Sequence, residues 1–453
     1  MTKKILVVCF ALISMFISVI SVFAQQVPNA PAAVRNTLRG MDIVIGNWWS
    51  NYNPATFQPR NESEEKQLDY RKRLLREYNF TMQDKNIAGW NEMAQTAAAS
   101  IMAGRPAATA FRLQADWALA LYRQNLLYPV STRKSINWAA ATPIEWNKHV
   151  TTAFTFGGKS YAFMEGYGGS MQSAVVFWNK RLFREAGLDP NLLYELQKAG
   201  TWTWDKFFEI SKQLTRDLNN DGIIDTYAMA SDFSKDILDA LVSSNGAMYV
   251  DRDRNGKLVN ATGRPEFIET LRYYIRLRDE GVMKPKPEGV PWDWYKPEFI
   301  NGNVAMQIGQ QHLVNGDLRN MRDDWGMVLP PKGPRSKNYV VFTSENVMVI
   351  PVRGYTDAQV DAILWAIQSW VTPVDTDWRI GLYPSYRDIR AVNETVALIR
   401  NQSLWQWKYH MHVRGLETGT IAYEIWWHDG EPAQLIEAVS RSWNALIMDT
   451  NEM

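Results

Sequence analysis

Three groups of residues in this chain have types and spacings suited to chemistry. Tryptophan recurs in polar company, at Trp48-Trp49, Trp202-Thr203-Trp204, Trp292-Asp293-Trp294, Trp405-Gln406-Trp407 and Trp426-Trp427. An indole is a flat apolar plate with one N–H donor. Beside Asn, Gln, Asp or Arg it suits a ligand with C–H faces and hydroxyl edges, and sugars have that shape. Core filling is the plainer role for any single Trp. With 20 Trp, 19 Tyr and 17 Phe in the chain, the excess as a whole points to stacking surfaces. The second group, Asp217, Asn219, Asp221, Ile223 and Asp225, has the oxygen spacing of a calcium loop, with Gly222 at the sharp turn and the Ile223 carbonyl as a ligand. Position 12 of that loop is Ala228, where a bidentate Glu belongs. The same residues also make a turn closed by Asx side chains. A structural calcium is the one cofactor this spacing allows, and no other is expected. The third group, His410-Met411-His412, lacks a third ligand in sequence and reads as packing. No Gly-x-Ser-x-Gly or His-Glu-x-x-His run is present.

The chain that carries these groups opens with Lys3 and Lys4, an apolar and small-residue run from Ile5 to Phe23, and Val22-Phe23-Ala24 before Gln25. That order predicts a secretory signal over residues 1–24, cut after Ala24, and a periplasmic or extracellular product. An uncleaved membrane anchor is the alternative, since the run is about long enough to span. Cys9, the only cysteine, leaves with the signal, so disulfides and thiolate metal sites are excluded. A formal charge of +1 gives no field for gathering nucleic acid. The body is long enough for two domains.

Periodicity places strands at 41–46, 79–85 and 109–113, alternating with helices at 62–78, 90–102 and from Trp117. Such alternation predicts a parallel, doubly wound sheet and an α/β fold class. Further along, 175–178, 303–308 and 347–350 read as strands, and 180–186, 204–215, 265–280, 358–371 and 432–447 as helices, with Thr203 capping the second of these. Residues 25–37, rich in Ala, Pro and Asn, read as a flexible leader.

The order of these segments resembles the family 1 extracellular solute-binding proteins of ABC importers, the group that includes maltose-binding protein. The residues that carry the resemblance are Ala174 to Asp189, Thr203 to Phe207, Asn245-Gly246 with the helix running to Val282, and Phe299 to Met306. It implies two α/β lobes, each a mostly parallel sheet flanked by helices, joined by a hinge, with ligand in the cleft between them. Carried over, the N-terminal lobe takes 38–168 and 303–350, and the C-terminal lobe 169–302 and 351–453. It also implies a monomer that delivers its solute to an ABC permease and catalyses nothing. Two alternatives stay open: a secreted glycosidase, which needs paired carboxylates, and the same fold holding a peptide or polyamine.

Ligands of open α/β sheets sit beyond the carboxyl ends of strands. The positions that follow from this are Trp48, Trp49, Asp116, Trp117, Glu165, Tyr167, Gln311, His312, Glu345 and Asn346, with Trp292, Trp294 and Arg387 from the second lobe. Near-zero charge and many aromatics favour a carbohydrate over a charged solute.

Overall fold

The structure is a computed structural model that describes residues 25–136, 138, 146–165, 174–230, 235–291, 293–342, 346–375 and 377–452. The signal, Tyr167, Trp292 and Glu345 lie outside the described residues. In chain order the elements that matter here are α1 (Ala32–Leu38), β1 (Asp42–Asn47), α2 (Glu62–Tyr78), β2 (Thr81–Asn86), α3 (Met93–Met102), β3 (Ala110–Gln114) and α4 (Ala115–Arg123). They continue with β4 (Ala174–Asn179), α5 (Trp204–Leu214), β5 (Met229–Ala230), α6 (Pro265–Asp279), β6 (Met283–Lys284), β7 (Met306–Gln310) and β8 (Trp325–Val328). The last are β9 (Val341–Phe342), β10 (Asn346–Val349), α7 (Asp357–Val371), β11 (Trp405–Gln406) and α8 (Pro432–Glu452).

Local signals explain the first lobe. The Asn61 side chain caps α2 by accepting from the Glu64 amide, three Glu residues occupy its first turn, and Asn79 ends it in the left-handed region. Strand β1 then pairs in parallel with β2 and β3, while β10 closes the sheet antiparallel to β3. The order is β10-β3-β1-β2. Gly46 permits the close packing on this sheet. A Cβ there would come within 2.7 Å of both the Ala108 Cβ and the Ile87 Cδ1.

The second sheet is built around β4, which pairs antiparallel with both β7 and β8. Strands β5 and β6 are parallel to each other. The chain just ahead of β5 joins the entry to β7 through Tyr227 and Val304, with the Met306 amide donating to the Ala228 carbonyl. The first sheet is thus mostly parallel, as expected, whereas the three-stranded sheet around β4 is antiparallel, which corrects the expectation for the second lobe.

Two separate cores follow the sheets, and they correct the expected lobe boundaries. Residues 303–350 do not all belong to the first lobe. Val304 through Val341 pack in the second core because β4 offers both its edges to β7 and β8. Nor do all of 351–453 belong to the second lobe. Helix α7 buries Val360, Ile363, Leu364, Ile367 and Trp370 in the first core and packs against α1 and α2. The chain changes core between Met164 and Ala174, between Val341 and Val347 and between Val371 and Trp378, and it touches the first core once more at Trp407 before Val413 returns to the second. Among the described residues no helix is long and apolar enough to cross a membrane.

The leader is also corrected. Residues 25–37 hold the first turns of α1, which buries Val34 and Leu38 four residues apart on one face. Ahead of α1, the Tyr78 hydroxyl donates to the Pro28 carbonyl at 2.7 Å and accepts from the Ala30 amide at 2.9 Å. Composition hid this because the anchor is a tyrosine about fifty residues away. Tyr78→Phe leaves a buried amide and a carbonyl unmet, so it should cost about 1–3 kcal/mol. Urea denaturation with proteolysis of the 25–31 segment checks this: the midpoint should fall and the segment should be cut first.

Candidate functional site

Four indoles gather at the carboxyl ends of β1, β2 and β3. The turn after β1 is made by Asn47, whose buried Oδ1 accepts from the Trp49 and Ser50 amides, each at 2.8 Å. That turn aims Trp48 and Trp49 beyond the sheet. The loop after β2 is tied to it: Asn86 Nδ2 donates to the Trp48 carbonyl at 3.1 Å and the Ile87 amide to the Asn47 carbonyl at 3.0 Å. Trp90 follows on that loop, and Trp117 stands in the first turn of α4.

Trp48 is the hub. Its ring centroid lies 4.6 Å from Trp49, 5.3 Å from Trp90 and 5.1 Å from Trp117, all edge to face, and Trp90 meets Trp117 at 4.8 Å. Trp48 and Trp117 are half-buried, whereas Trp49 and Trp90 are 47 % and 48 % exposed. The cluster therefore has two supporting rings and two presenting rings. The T-shaped contacts fix the presenting faces without stacking them on each other.

A charged group lies on β3, two residues before its carboxyl end. Arg112 of β3 meets Glu165 at 3.3 Å, both side chains being 19 % exposed. Burial works against the Arg112 charge, yet Glu165 and Asp84 outweigh it and hold its pKa above the ordinary value. Burial pushes the Asp84 carboxyl up, against the pull of Arg112 and Arg71. Guanidinium and carboxylates held this way supply paired donors and acceptors for hydroxyls. Asp116 is half-buried in the first turn of α4, where the helix dipole favours its negative charge. Asn346 is half-buried at the start of β10, opposite Gln114.

The structure thus brings Trp48, Trp49, Asp116 and Trp117 together at one sheet end, and places Asn346 at the start of β10 and Glu165 at an isolated bridge opposite Trp146. Three expected residues take other roles. Trp294 is 4 % exposed and packs in the second core just before a short helix, 295–300. Gln311 is fully buried and donates from Nε2 to the Tyr386 hydroxyl. Arg387 donates to the Arg319 and Met321 carbonyls and so holds a neighbouring loop. His312 is exposed just beyond β7. Sequence reasoning missed Trp90 and Arg112. The Trp90 signal was available, an indole four residues past β2, but the helix there begins at Met93 rather than at Trp90.

The 217–225 loop closes on itself. Asp217 accepts from the Asn219 and Gly222 amides, Asn219 from that of Asp221, Asp221 from that of Ile223, and Asp225 from that of Leu218. These are the Asx turns that the spacing also allowed. The backbone amides pull the exposed Asp217 carboxyl below its ordinary value, Gly222 most strongly. Among the described residues no group of three or more His, Cys, Asp or Glu is arranged to hold a metal ion.

Between the lobes, residues 405–412 form a bridge. Strand β11 pairs in parallel with β9, and Trp405 joins the second core while Trp407 joins the first. Trp407 Nε1 donates to His412 Nε2 at 2.8 Å, and Phe154 meets both rings. Arg123 of α4 donates to the His412 carbonyl at 3.0 Å.

Comparison with known proteins agrees with this architecture. Similar solved structures include an ABC substrate-binding protein from Listeria monocytogenes in complex with cycloalternan. It is 16% identical with TM-score 0.59, over 90% of this chain and 98% of that one. The cyclic α-maltosyl-1,6-maltose binding protein of Arthrobacter globiformis is 15% identical with TM-score 0.62, over 90% and 100%. UgpB from Mycobacterium tuberculosis, in complex with glycerophosphocholine, is 15% identical with TM-score 0.60, over 91% and 99%. What the chain shares with them at such identity is the two-lobed fold. A search of curated protein sequences found no match. A family model described as bacterial extracellular solute-binding protein matches residues 70–373, from within α2 to just past α7, and the chain belongs to that family.

Proposed function

We propose that this protein is an extracytoplasmic receptor that captures a carbohydrate, an oligosaccharide rather than a single ring, between its lobes and hands it to an ABC importer without chemical turnover. The observation that carries the reading is the pair of half-exposed indoles, Trp49 and Trp90, fixed by Trp48 and Trp117 at the end of the first sheet. Each stack of a pyranose face on such a ring contributes on the order of 1 kcal/mol beyond area burial. Arg112, Glu165 and Asp116 stand ready for hydroxyls. Several structural neighbours hold saccharides, among them mannotriose and β-1,6-galactobiose, which supports the ligand class. Ligand touching both lobes would favour a closed form about the segments that cross between them. The family places the protein outside the cytoplasm, and we infer that export uses residues 1–24 with cleavage after Ala24.

A thermal-shift screen tests the ligand class, because ligand that binds only the folded state raises Tm. Mannotriose, β-1,6-galactobiose, cycloalternan and glycerophosphocholine form the first panel. A saccharide is expected to raise Tm and, by small-angle scattering, to reduce the radius of gyration. A response to glycerophosphocholine alone would move the ligand class away from sugars. Shortened saccharide products would replace the receptor with an enzyme.

A further inference from the structure

We propose that the mature chain carries a pyroglutamate at Gln25, formed where the N-terminal segment is strapped to the first lobe. The inference rests on the proposed cleavage after Ala24, which makes Gln25 the new N-terminus. What the structure adds is the setting. Arg73 Nη2 of α2 donates to the Gln25 main-chain carbonyl at 3.3 Å. Arg76 and Glu77 line the same recess with Arg73, Gln26 and Val27. Three residues on, Tyr78 binds the Pro28 carbonyl and the Ala30 amide. The first residue is therefore held, by its own carbonyl, against a recess lined by two guanidinium groups and one carboxylate.

Cleavage would create an α-ammonium on the same residue whose carbonyl Arg73 already holds. An α-amine titrates near pH 8 when unperturbed. The two guanidinium groups outnumber the one Glu77 carboxylate in this recess, and a net like charge favours the neutral form of the amine, which is the nucleophile. The amine nitrogen then attacks the Gln25 side-chain Cδ. A lactam C–N bond forms, the side-chain amide C–N bond breaks, and ammonia departs with the proton the amine gives up. No oxidant or co-reactant is needed. Among the described residues the buried Gln25 Oε1 accepts no hydrogen bond, so none has to break before the side-chain amide turns to the amine. The product is uncharged, which removes the repulsion from Arg73 and Arg76 and leaves the strap with no free amine for an aminopeptidase. Arg73 is a positioning residue here.

The test is mass spectrometry of the N-terminal peptide from full-length protein exported with its own signal. The expected peptide begins at residue 25 and is lighter than Gln25 by one ammonia. A peptide beginning at Gln25 with a free amine overturns the proposal and leaves the cleavage reading intact. A different N-terminus, or a retained signal, overturns both. The role of Arg73 is tested by following ammonia loss after export at pH 7. Arg73→Ala should slow it about threefold, the equivalent of about half a pKa unit on the amine, and Arg73→Lys should restore it. Equal rates in all three proteins would remove Arg73 from the proposal.

Discussion

Replacing Trp48 with alanine is expected to weaken saccharide binding about 100-fold, or about 2.7 kcal/mol, although Trp48 is not the most exposed ring of its cluster. The reason is its place as hub. It touches Trp49, Trp90 and Trp117 edge to face, so its loss releases both presenting rings at once. Trp49→Ala or Trp90→Ala each removes one stack, worth about 1 kcal/mol or a fivefold loss. The hub variant should therefore exceed the sum of the two single losses. Neighbours that share a partner behave this way in double-mutant cycles. Trp48 also packs against the first core, so titration calorimetry is to be done well below the melting temperature of the variant. Trp48→Phe keeps an edge for each neighbour and should recover most of the affinity. Wild-type affinity in Trp48→Ala would mean that ligand does not use this platform.

The platform shows how far sequence alone reaches. Strands β1 to β3 and the helices between them were legible because their signals are local, apolar residues recurring at strand and helix spacing. Trp48, Asp116 and Trp117 followed from being next to strand ends. What stayed hidden was set by partners distant in sequence. The lobe that receives β7 is decided by its register against β4, Met306 opposite Trp178. Nothing near residue 306 encodes that choice. Gln311 reads as a polar loop residue until Tyr386, 75 positions away, takes its amide. Trp294 follows a polar residue, Asp293, as Trp48 follows Asn47, yet it packs in the second core. An indole is amphipathic enough to serve in either place. Arg112 was passed over because a charge inside a strand looks like an interruption, when its carboxylate partners arrive from β2 and from Glu165.

The interlobe bridge offers the second large effect, as acid sensitivity. His412 is 4 % exposed, and its Nε2 accepts from Trp407 Nε1. An accepting nitrogen carries no proton, so the imidazole is neutral with its proton on Nδ1. Burial, and then the charges of Arg252, Arg123 and His410, push its pKa down to about 3. The unfolded chain titrates near its ordinary value of 6.5. Between those pH values the unfolded state binds the proton and the folded state does not, so stability falls as pH falls. The slope is about 1.4 kcal/mol per pH unit, and the whole window is worth about 5 kcal/mol. His412→Gln keeps an acceptor for the Trp407 indole and removes the titration. Its unfolding free energy should lie below that of the wild type at pH 7, and the two curves should converge by about pH 4. Parallel losses in both proteins between pH 6 and pH 4 would assign the acid limb to other groups. The location also bears on function. Trp407 sits in the first core while Trp405 sits in the second, so protonating His412 expels a ring from the contact that links the lobes. Saccharide affinity of the folded wild type should then hold down to about pH 4 and fall only as the pH nears 3, where the folded His412 takes its proton, and His412→Gln should hold its affinity over the same range.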